Sequence, residues 1–126
     1  MQRLLVVEDS PTMRDWIATV LEDLEPAVKI DQAASGFEAL RLLPRQRYDL
    51  IVTDINMPDI HGLELISFVR GDARHAHTPL VIVSTEGSEE DRRRGLALGA
   101  NAYLVKPFAA PELLRVVADL LPSERP

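Results

Sequence analysis

The chain has 126 residues and a formal net charge of −6, with 46% hydrophobic and 27% charged residues. This length fits one folded domain, and the apolar runs of four or five residues are far shorter than the ~20 that a transmembrane helix needs. The absence of a signal-peptide pattern, the absence of cysteine and the acidic balance indicate a cytoplasmic protein without disulfides, membrane insertion or nucleic-acid binding.

Five short apolar segments are predicted to be strands. They are continuous rather than alternating, which is typical of a sheet covered on both faces. The segments are Leu4–Val7, Val28–Ile30 extended to about Ala33, Leu50–Thr53, Leu80–Val83 and Tyr103–Val105.

Helical patterns follow each strand. Ser10 and Pro11 suit the N-cap and first position of the first helix, whose apolar face runs from Met13 to Leu24. Alternating strands and helices predict an α/β fold, a doubly wound parallel sheet with helices on both faces. We expect one domain over residues 1–122 and a flexible tail over residues 123–126. Apolar residues of the other helices are Ala39, Leu40 and Leu43; Leu63, Ile66 and Val69; Leu96 and Leu98; Leu113, Leu114, Val117, Leu120 and Leu121.

Polar residues follow four of the predicted strands, where sheets of this kind bind their ligands. If the strands are ordered 2-1-3-4-5, the first and third are neighbours, and Asp9 would face Asp54 across a narrow crevice. The candidates are Glu8 and Asp9 after the first strand, Asp54 after the third, Ser84 after the fourth and Lys106 after the fifth.

Three carboxylates this close repel one another unless a proton or a cation neutralises them. Oxygen ligands without histidine or cysteine favour Mg²⁺, with Asp9 and Asp54 suited to direct ligation and Glu8 to a metal-bound water. A carboxylate in such a site can accept a phosphoryl group. Lys106 can pair with Asp54 before transfer and with the phosphoryl oxygens afterwards, and Ser84 can donate a hydrogen bond to them.

The motifs around these residues resemble the receiver domain of bacterial response regulators over nearly the whole chain. The likeness implies a flavodoxin-like three-layer sandwich, ordered 2-1-3-4-5 with five helices, and a phosphorylation-dependent signalling switch of the stand-alone chemotaxis-receiver type. Matching segments are Val6-Val7-Glu8-Asp9-Ser10, Asp54-Ile55-Asn56-Met57-Pro58-Asp59-Ile60-His61-Gly62, Val83-Ser84-Thr85-Glu86 and Gly99-Ala100-Asn101-Ala102-Tyr103-Leu104-Val105-Lys106-Pro107-Phe108.

The resemblance also implies roles for single residues. Asp54 would accept the phosphoryl group from a phosphohistidine on a sensor histidine kinase or phosphotransfer protein. The backbone carbonyl of Asn56 would join Glu8, Asp9 and Asp54 at the Mg²⁺ ion. Lys106 and Ser84 would bind the phosphoryl oxygens.

Further residues would transmit or tune the phosphorylated state. Tyr103 would be the switch aromatic, and Asn56 and Glu86 would set the hydrolysis rate of the protein's own aspartyl phosphate. A monomer would bind its effector protein through the face formed by the fourth helix, fifth strand and fifth helix.

Two positions depart from the family. Thr85 replaces the usual Ala or Gly and could narrow access to the acyl phosphate. Ser84 replaces the commoner Thr. The resemblance also implies a cis bond between Lys106 and Pro107.

Two other functions were weighed. A Mg²⁺-dependent phosphatase of the haloacid dehalogenase type would need an acid two residues after Asp54, where Asn56 cannot protonate a leaving group, and a substrate-capping insertion. A flavodoxin-like cofactor binder would need a phosphate loop after the first strand, where Glu8 and Asp9 would repel the phosphate. We therefore expect a switch without a separate turnover substrate.

Other polar and aromatic residues carry no chemical pattern. His61, His75 and His77 lie in predicted loops without metal-ligand spacing, and we expect them at the surface. Trp16 is expected to pack on its helix, and the basic run at residues 92–94 to form a solvated helix face.

Overall fold

The computed structural model describes residues 1–85 and 89–122. Within these ranges, five parallel strands form one sheet in the order β2-β1-β3-β4-β5. This confirms the predicted fold class and strand order. The strands are β1 (Arg3–Val7), β2 (Lys29–Ala33), β3 (Leu50–Asp54), β4 (Leu80–Ser84) and β5 (Ala102–Val105).

In the part of the chain that the structure describes, five helices follow the strands in turn. The first ends at Leu21, earlier than the apolar pattern through Leu24 suggested, and Asp23 and Leu24 continue in turns whose amides donate to carbonyls three residues back. Leu24 is nevertheless buried. The helices are α1 (Pro11–Leu21), α2 (Gly36–Leu42), α3 (Gly62–Gly71), α4 (Glu89–Ala97) and α5 (Ala110–Leu120).

The continuous apolar strands serve two separate cores, one on each face of the sheet. In β1, Leu5 and Val7 point into the core beneath α2 and α3, whereas Leu4 and Val6 point into the core beneath α1 and α5. All four side chains are fully buried. Burying one such side chain contributes about 1.5–3 kcal/mol, so both layers hold the central strands firmly in register.

One loop histidine lies where the sequence did not place it. His75 is fully buried rather than at the surface, and its ring stacks on that of Tyr48 with centroids 6.1 Å apart. Its Nε2 accepts a hydrogen bond from the Tyr48 amide at 3.2 Å, and its Nδ1 lies 3.3 Å from Oδ2 of Asp72. The expectation of a surface position was therefore wrong, because this imidazole satisfies a buried backbone amide.

The fourth helix packs less deeply than its leucines suggested. Gly95 is the buried residue of α4, while Leu96 and, just beyond the helix, Leu98 are each 39% exposed. Trp16 is likewise 38% exposed and lies against Phe108, with ring centroids 5.6 Å apart. None of the helices in the described ranges is long and apolar enough to cross a bilayer.

Candidate functional site

Three acidic side chains meet at the carboxyl ends of β1 and β3. The two strands are paired with Val7 opposite Thr53, so Glu8 and Asp9 leave β1 beside Asp54, the last residue of β3. Carboxylate oxygens of Glu8, Asp9 and Asp54 lie within 4.8 Å of one another. Glu8 and Asp54 are 1% and 5% exposed, whereas Asp9 faces solvent. The sheet thus brings together the three acids that the sequence singled out.

Lys106 places its ammonium group between two of these acids. Its Nζ lies 2.6 Å from Oε1 of Glu8 and 3.0 Å from Oδ2 of Asp54. The backbone fixes this position, because the Lys106 amide donates to the Ser84 carbonyl at 2.8 Å, just past the paired ends of β4 and β5. The Lys106-Pro107 peptide is cis, as predicted. The pairing of Lys106 with Asp54 that the sequence predicted is present.

Burial and charge act together on the pKa values of Glu8 and Lys106. Desolvation raises the pKa of Glu8, and the hydrogen bonds from Lys106 and Ser10 offset this only in part. Desolvation alone would lower the pKa of Lys106, but its hydrogen bonds to Glu8 and Asp54 outweigh this effect and raise it. Lys106 therefore stays cationic, and its single charge is shared by two carboxylates.

The start of α1 holds the acidic loop in place. Oε2 of Glu8 accepts from the Ser10 amide at 3.1 Å, and Nη1 of Arg14 donates to the Glu8 carbonyl at 2.9 Å. Ser10 is also the N-cap of α1, with its side chain accepting from the Met13 amide, as the sequence predicted. Sequence analysis missed Arg14, because its contact is to a backbone carbonyl that no motif specifies.

The loop after β3 brings Asn56 and Ser84 to the same site. The Asn56 amide donates to Oδ1 of Asp54 at 3.0 Å, and its side-chain Nδ2 donates to Oγ of Ser84 at 3.3 Å. Ser84 is fully buried at the end of β4, whereas Asn56 is exposed. Both candidates therefore border Asp54, with Asn56 on the solvent side.

The donor set fits a hard divalent cation. Asp9 and Asp54 offer carboxylate oxygens within 4.8 Å of each other, and the amide of Asn56 donates to Asp54 from the loop after β3. Both oxygens of Glu8 are already engaged, one by Lys106 and the other by the Ser10 amide. That engagement suits an acid that reaches a metal through water rather than directly.

The remaining candidates lie around this centre. Tyr103 is half-buried on β5, opposite Ile82, and packs against the core beneath α2 and α3. Thr85 is exposed and immediately follows Ser84. Glu86 lies outside the described residues.

An apolar cavity of about 410 Å³ adjoins the site between α1 and the loop before α5. Its lining includes both rings of the Trp16–Phe108 contact and Pro107, which follows Lys106. No sequence pattern marks this cavity, because it depends on the approach of two segments about 90 residues apart.

Comparison with known proteins identifies the class to which this geometry belongs. The family model described as the response regulator receiver domain matches residues 4–118. The chain is 38% identical over 120 residues to the chemotaxis protein CheY homolog of Campylobacter jejuni, covering 94% of this chain and 92% of that protein. It is 35% identical over 122 residues to response regulator Rre1 of Synechocystis, covering 97% of this chain but 52% of Rre1.

Solved structures show the same likeness. The chemotaxis response regulator CheY4 of Vibrio cholerae is 36% identical, with a TM-score of 0.88 and coverage of 96% of this chain and 99% of that chain. The receiver domain of sensor histidine kinase PA1611 from Pseudomonas aeruginosa is 31% identical, with a TM-score of 0.84 and coverage of 94% and 96%, and it holds a magnesium ion in its active site cleft. The chain therefore belongs to the response regulator receiver domain family, whose members act as phosphorylation-dependent signalling switches.

Proposed function

We propose that Asp54 accepts a phosphoryl group from a phosphohistidine and that the aspartyl phosphate changes which partner the protein binds. The observation that carries this proposal is the position of Asp54. Its buried carboxylate lies among two further acids and within 3.0 Å of the Lys106 ammonium. The related PA1611 receiver domain holds a magnesium ion in its active site cleft.

The transfer is a displacement at phosphorus. An oxygen of Asp54 forms the new P–O bond while the P–N bond to the donor imidazole breaks, and the imidazole leaves with the bonding electron pair and takes up a proton. Lys106 starts within contact of Asp54 and is placed to follow the negative charge onto the phosphoryl oxygens. Ser84 is close to the proposed phosphoryl site, because its hydroxyl accepts a hydrogen bond from the side chain of Asn56.

A Mg²⁺ ion would be held by Asp9, Asp54 and the backbone carbonyl of Asn56, with Glu8 bound through water. When bound, it would neutralise the carboxylates and the incoming phosphoryl oxygens. Among the described residues, the site holds one ammonium and three carboxylates. A cation of charge two would bring this cluster close to neutrality before the phosphoryl group arrives.

Phosphorylation would be read out at the face formed by α4, β5 and α5. Movement of Ser84 toward the phosphoryl group would leave room for Tyr103, two residues before the exposed Val105, to turn inward. Leu96, Leu98 and Val105 are exposed apolar side chains at or next to this face. They offer the contact area that an effector protein needs.

The phosphorylated state would be short-lived, because the pair of Asn56 and Glu86 resembles that of chemotaxis receivers. Thr85, the exposed residue next to Ser84, would slow both phosphotransfer and hydrolysis relative to a small residue. The donor would be a sensor histidine kinase or phosphotransfer protein in the cytoplasm, and the receiver would act as a monomer. Turnover of a separate phosphate ester has no support, because Asn56 occupies the place of the acid that a phosphatase would need.

The test is incubation with Mg²⁺ and acetyl phosphate, followed by intact mass measurement. Wild type should gain the mass of one phosphoryl group, Asp54→Asn should gain none, and Asp119→Asn, an exposed acid on α5, should behave as wild type. Equal labelling of wild type and Asp54→Asn would disprove the site. Turnover of a generic phosphate ester by wild type would favour the phosphatase instead.

A further inference from the structure

The loop between β3 and α3, residues 55–61, is tied to a helix that belongs to a different part of the chain. The Asp59 carboxylate accepts one hydrogen bond from the Gly36 amide at 3.2 Å and another from the Phe37 amide at 2.9 Å. These amides belong to the first turn of α2, where backbone N–H groups have no partner within the helix. Asp59 therefore caps α2 from a distance of more than twenty residues in sequence.

Close packing supports this connection. A Cβ atom at Gly36 would lie 2.7 Å from Cβ of Ile60, so the loop and the helix meet without room for a side chain between them. The hydrogen bonds from the backbone, that of Phe37 foremost, lower the pKa of Asp59. A carboxylate at a helix N-terminus is also favoured by the helix dipole. The Gly36 and Phe37 amides thus each donate a hydrogen bond to a negatively charged carboxylate.

The rest of the same loop leads directly to the phosphoacceptor. The Gly62 amide closes the base of the loop on the Ile55 carbonyl at 2.9 Å, and the Asn56 amide bonds to Oδ1 of Asp54. Ile55 and Met57 are both buried in the core. The exposed part of the loop, from residue 58 to its end, is held by Asp59.

We propose that Asp59 is a positioning residue, which holds the loop so that the Asn56 carbonyl is already placed to bind the divalent cation. This inference rests on the proposed function and adds to it a residue that does not touch the metal or the phosphoryl group. Without the Asp59 contact, the loop must be ordered when the cation binds, and that cost is subtracted from the binding free energy.

A simpler role, that Asp59 only stabilises α2, can be separated from this one. Ser35 caps the same helix, with its Oγ accepting from the Glu38 amide at 3.1 Å, but it belongs to the segment before α2 and not to the loop. Ser35→Ala and Asp59→Ala therefore both weaken the start of α2, and only Asp59→Ala releases the loop.

The experiment compares wild type, Asp59→Ala, Asp59→Asn and Ser35→Ala. Titration calorimetry gives the Mg²⁺ dissociation constant, acetyl phosphate labelling gives the rate at saturating Mg²⁺, and hydrogen exchange follows the Gly36 and Phe37 amides without metal. In Asp59→Ala we expect the dissociation constant to rise about three- to tenfold, while the rate at saturating Mg²⁺ stays within about twofold of wild type. Asp59→Asn keeps an oxygen acceptor, so its Mg²⁺ dissociation constant should lie between those of wild type and Asp59→Ala.

Two results would overturn the inference while leaving the proposed function intact. The first is an unchanged Mg²⁺ dissociation constant in Asp59→Ala although the Gly36 and Phe37 amides exchange faster. The second is an equal rise in Ser35→Ala, which would assign the effect to α2 stability. If wild type itself failed to bind Mg²⁺ and to take up a phosphoryl group, the proposed function would fall and the inference with it.

Discussion

Lys106 forms its shorter ion pair with Glu8, at 2.6 Å between Nζ and Oε1, rather than with Asp54. The contact to Oδ2 of Asp54 is 3.0 Å. Under the proposed function, Glu8 would therefore keep Lys106 in the site when the carboxylate of Asp54 becomes an acyl phosphate and the ammonium shifts toward the phosphoryl oxygens. One ammonium group also leaves the acidic cluster with excess negative charge, which is the electrostatic reason for a divalent cation there.

Removal of this ammonium should destabilise the metal-free protein. We expect Lys106→Ala to lower the free energy of unfolding by about 3 kcal/mol without Mg²⁺, because two buried carboxylates lose their counter-ion. Mg²⁺ should then stabilise the variant more than it stabilises wild type. The variant should still take up a phosphoryl group but bind an effector poorly.

Urea unfolding with and without Mg²⁺ measures the loss of stability in Lys106→Ala and its stabilisation by Mg²⁺. Lys29→Ala is the matched control, since Lys29 is the other lysine of the chain and is exposed on β2. An identical response to Mg²⁺ in Lys106→Ala and wild type would contradict the role of Lys106 in balancing the acids.

The turn that follows Asp54 requires glycine at its end. A Cβ atom at Gly62 would lie 2.3 Å from Cα of Ile55 and 2.5 Å from the carbonyl oxygen of Asp54, both of which are backbone atoms. We expect Gly62→Ala to cost about 3 kcal/mol of stability and to slow phosphorylation, because the backbone next to Asp54 must shift.

The other end of the same helix provides the control. A Cβ atom at Gly71, the last residue of α3, would have open space around it, with nothing within 4 Å. Gly71→Ala should therefore be neutral or stabilising by about 0.5 kcal/mol, since alanine restricts the unfolded chain. Thermal unfolding of both variants measures the difference, and equal losses at the two positions would contradict the steric argument.

The sequence predicted the parts of the site that follow strands. The runs ending at Val7, Val52 and Val83 are apolar at every position, which identifies strands covered on both faces, and the parallel sheet then places the residues after them at one edge. Glu8, Asp54 and their neighbours could be found in this way before any coordinates existed. The resemblance to receiver domains supplied Asn56 and Tyr103, which periodicity alone would not select.

What the sequence did not predict depends on backbone partners. Asp59 bonds to the amides of Gly36 and Phe37, and His75 bonds to the amide of Tyr48. Every residue except proline carries an amide, so no residue type marks these pairs in the sequence. The loop around His75 also lacks apolar periodicity, and a buried imidazole there looks like a surface one until its partner is known.

His75 should therefore be important for stability although it is distant in sequence from the acidic site. We expect His75→Leu to lower the free energy of unfolding by about 2 kcal/mol, because the buried amide of Tyr48 loses its acceptor. His75→Gln, which offers a side-chain oxygen, should recover part of the loss. Urea unfolding measures both, with the exposed His77→Ala as a control expected within about 0.5 kcal/mol of wild type. Similar losses of unfolding free energy in His75→Leu and His77→Ala would contradict the stabilising role of the buried His75 ring.

Tyr48 should make the stability of the protein depend on alkaline pH. Its hydroxyl donates to Oδ2 of Asp31 at 2.7 Å, and Nη1 of Arg3 lies 3.2 Å from the same oxygen. Burial raises the pKa of Tyr48 well above its ordinary value of 10.0, and the hydrogen bond to Asp31 adds to the rise. The folded protein thus holds the phenolic proton more tightly than the unfolded chain does, so this contribution to stability is complete below pH 10 and is lost as the pH rises above it.

Tyr48→Phe isolates this contribution. At neutral pH the variant should be about 1 kcal/mol less stable than wild type, because the Asp31 hydrogen bond is lost. Above about pH 10 the gap should narrow, since the unfolded wild-type chain can ionise Tyr48 whereas the variant has nothing to ionise there. Tyr103, the other tyrosine, is present in both proteins and cancels in the difference. Urea unfolding at a series of alkaline pH values measures the gap, and a gap that stays constant or widens would show that Tyr48 is not the group responsible.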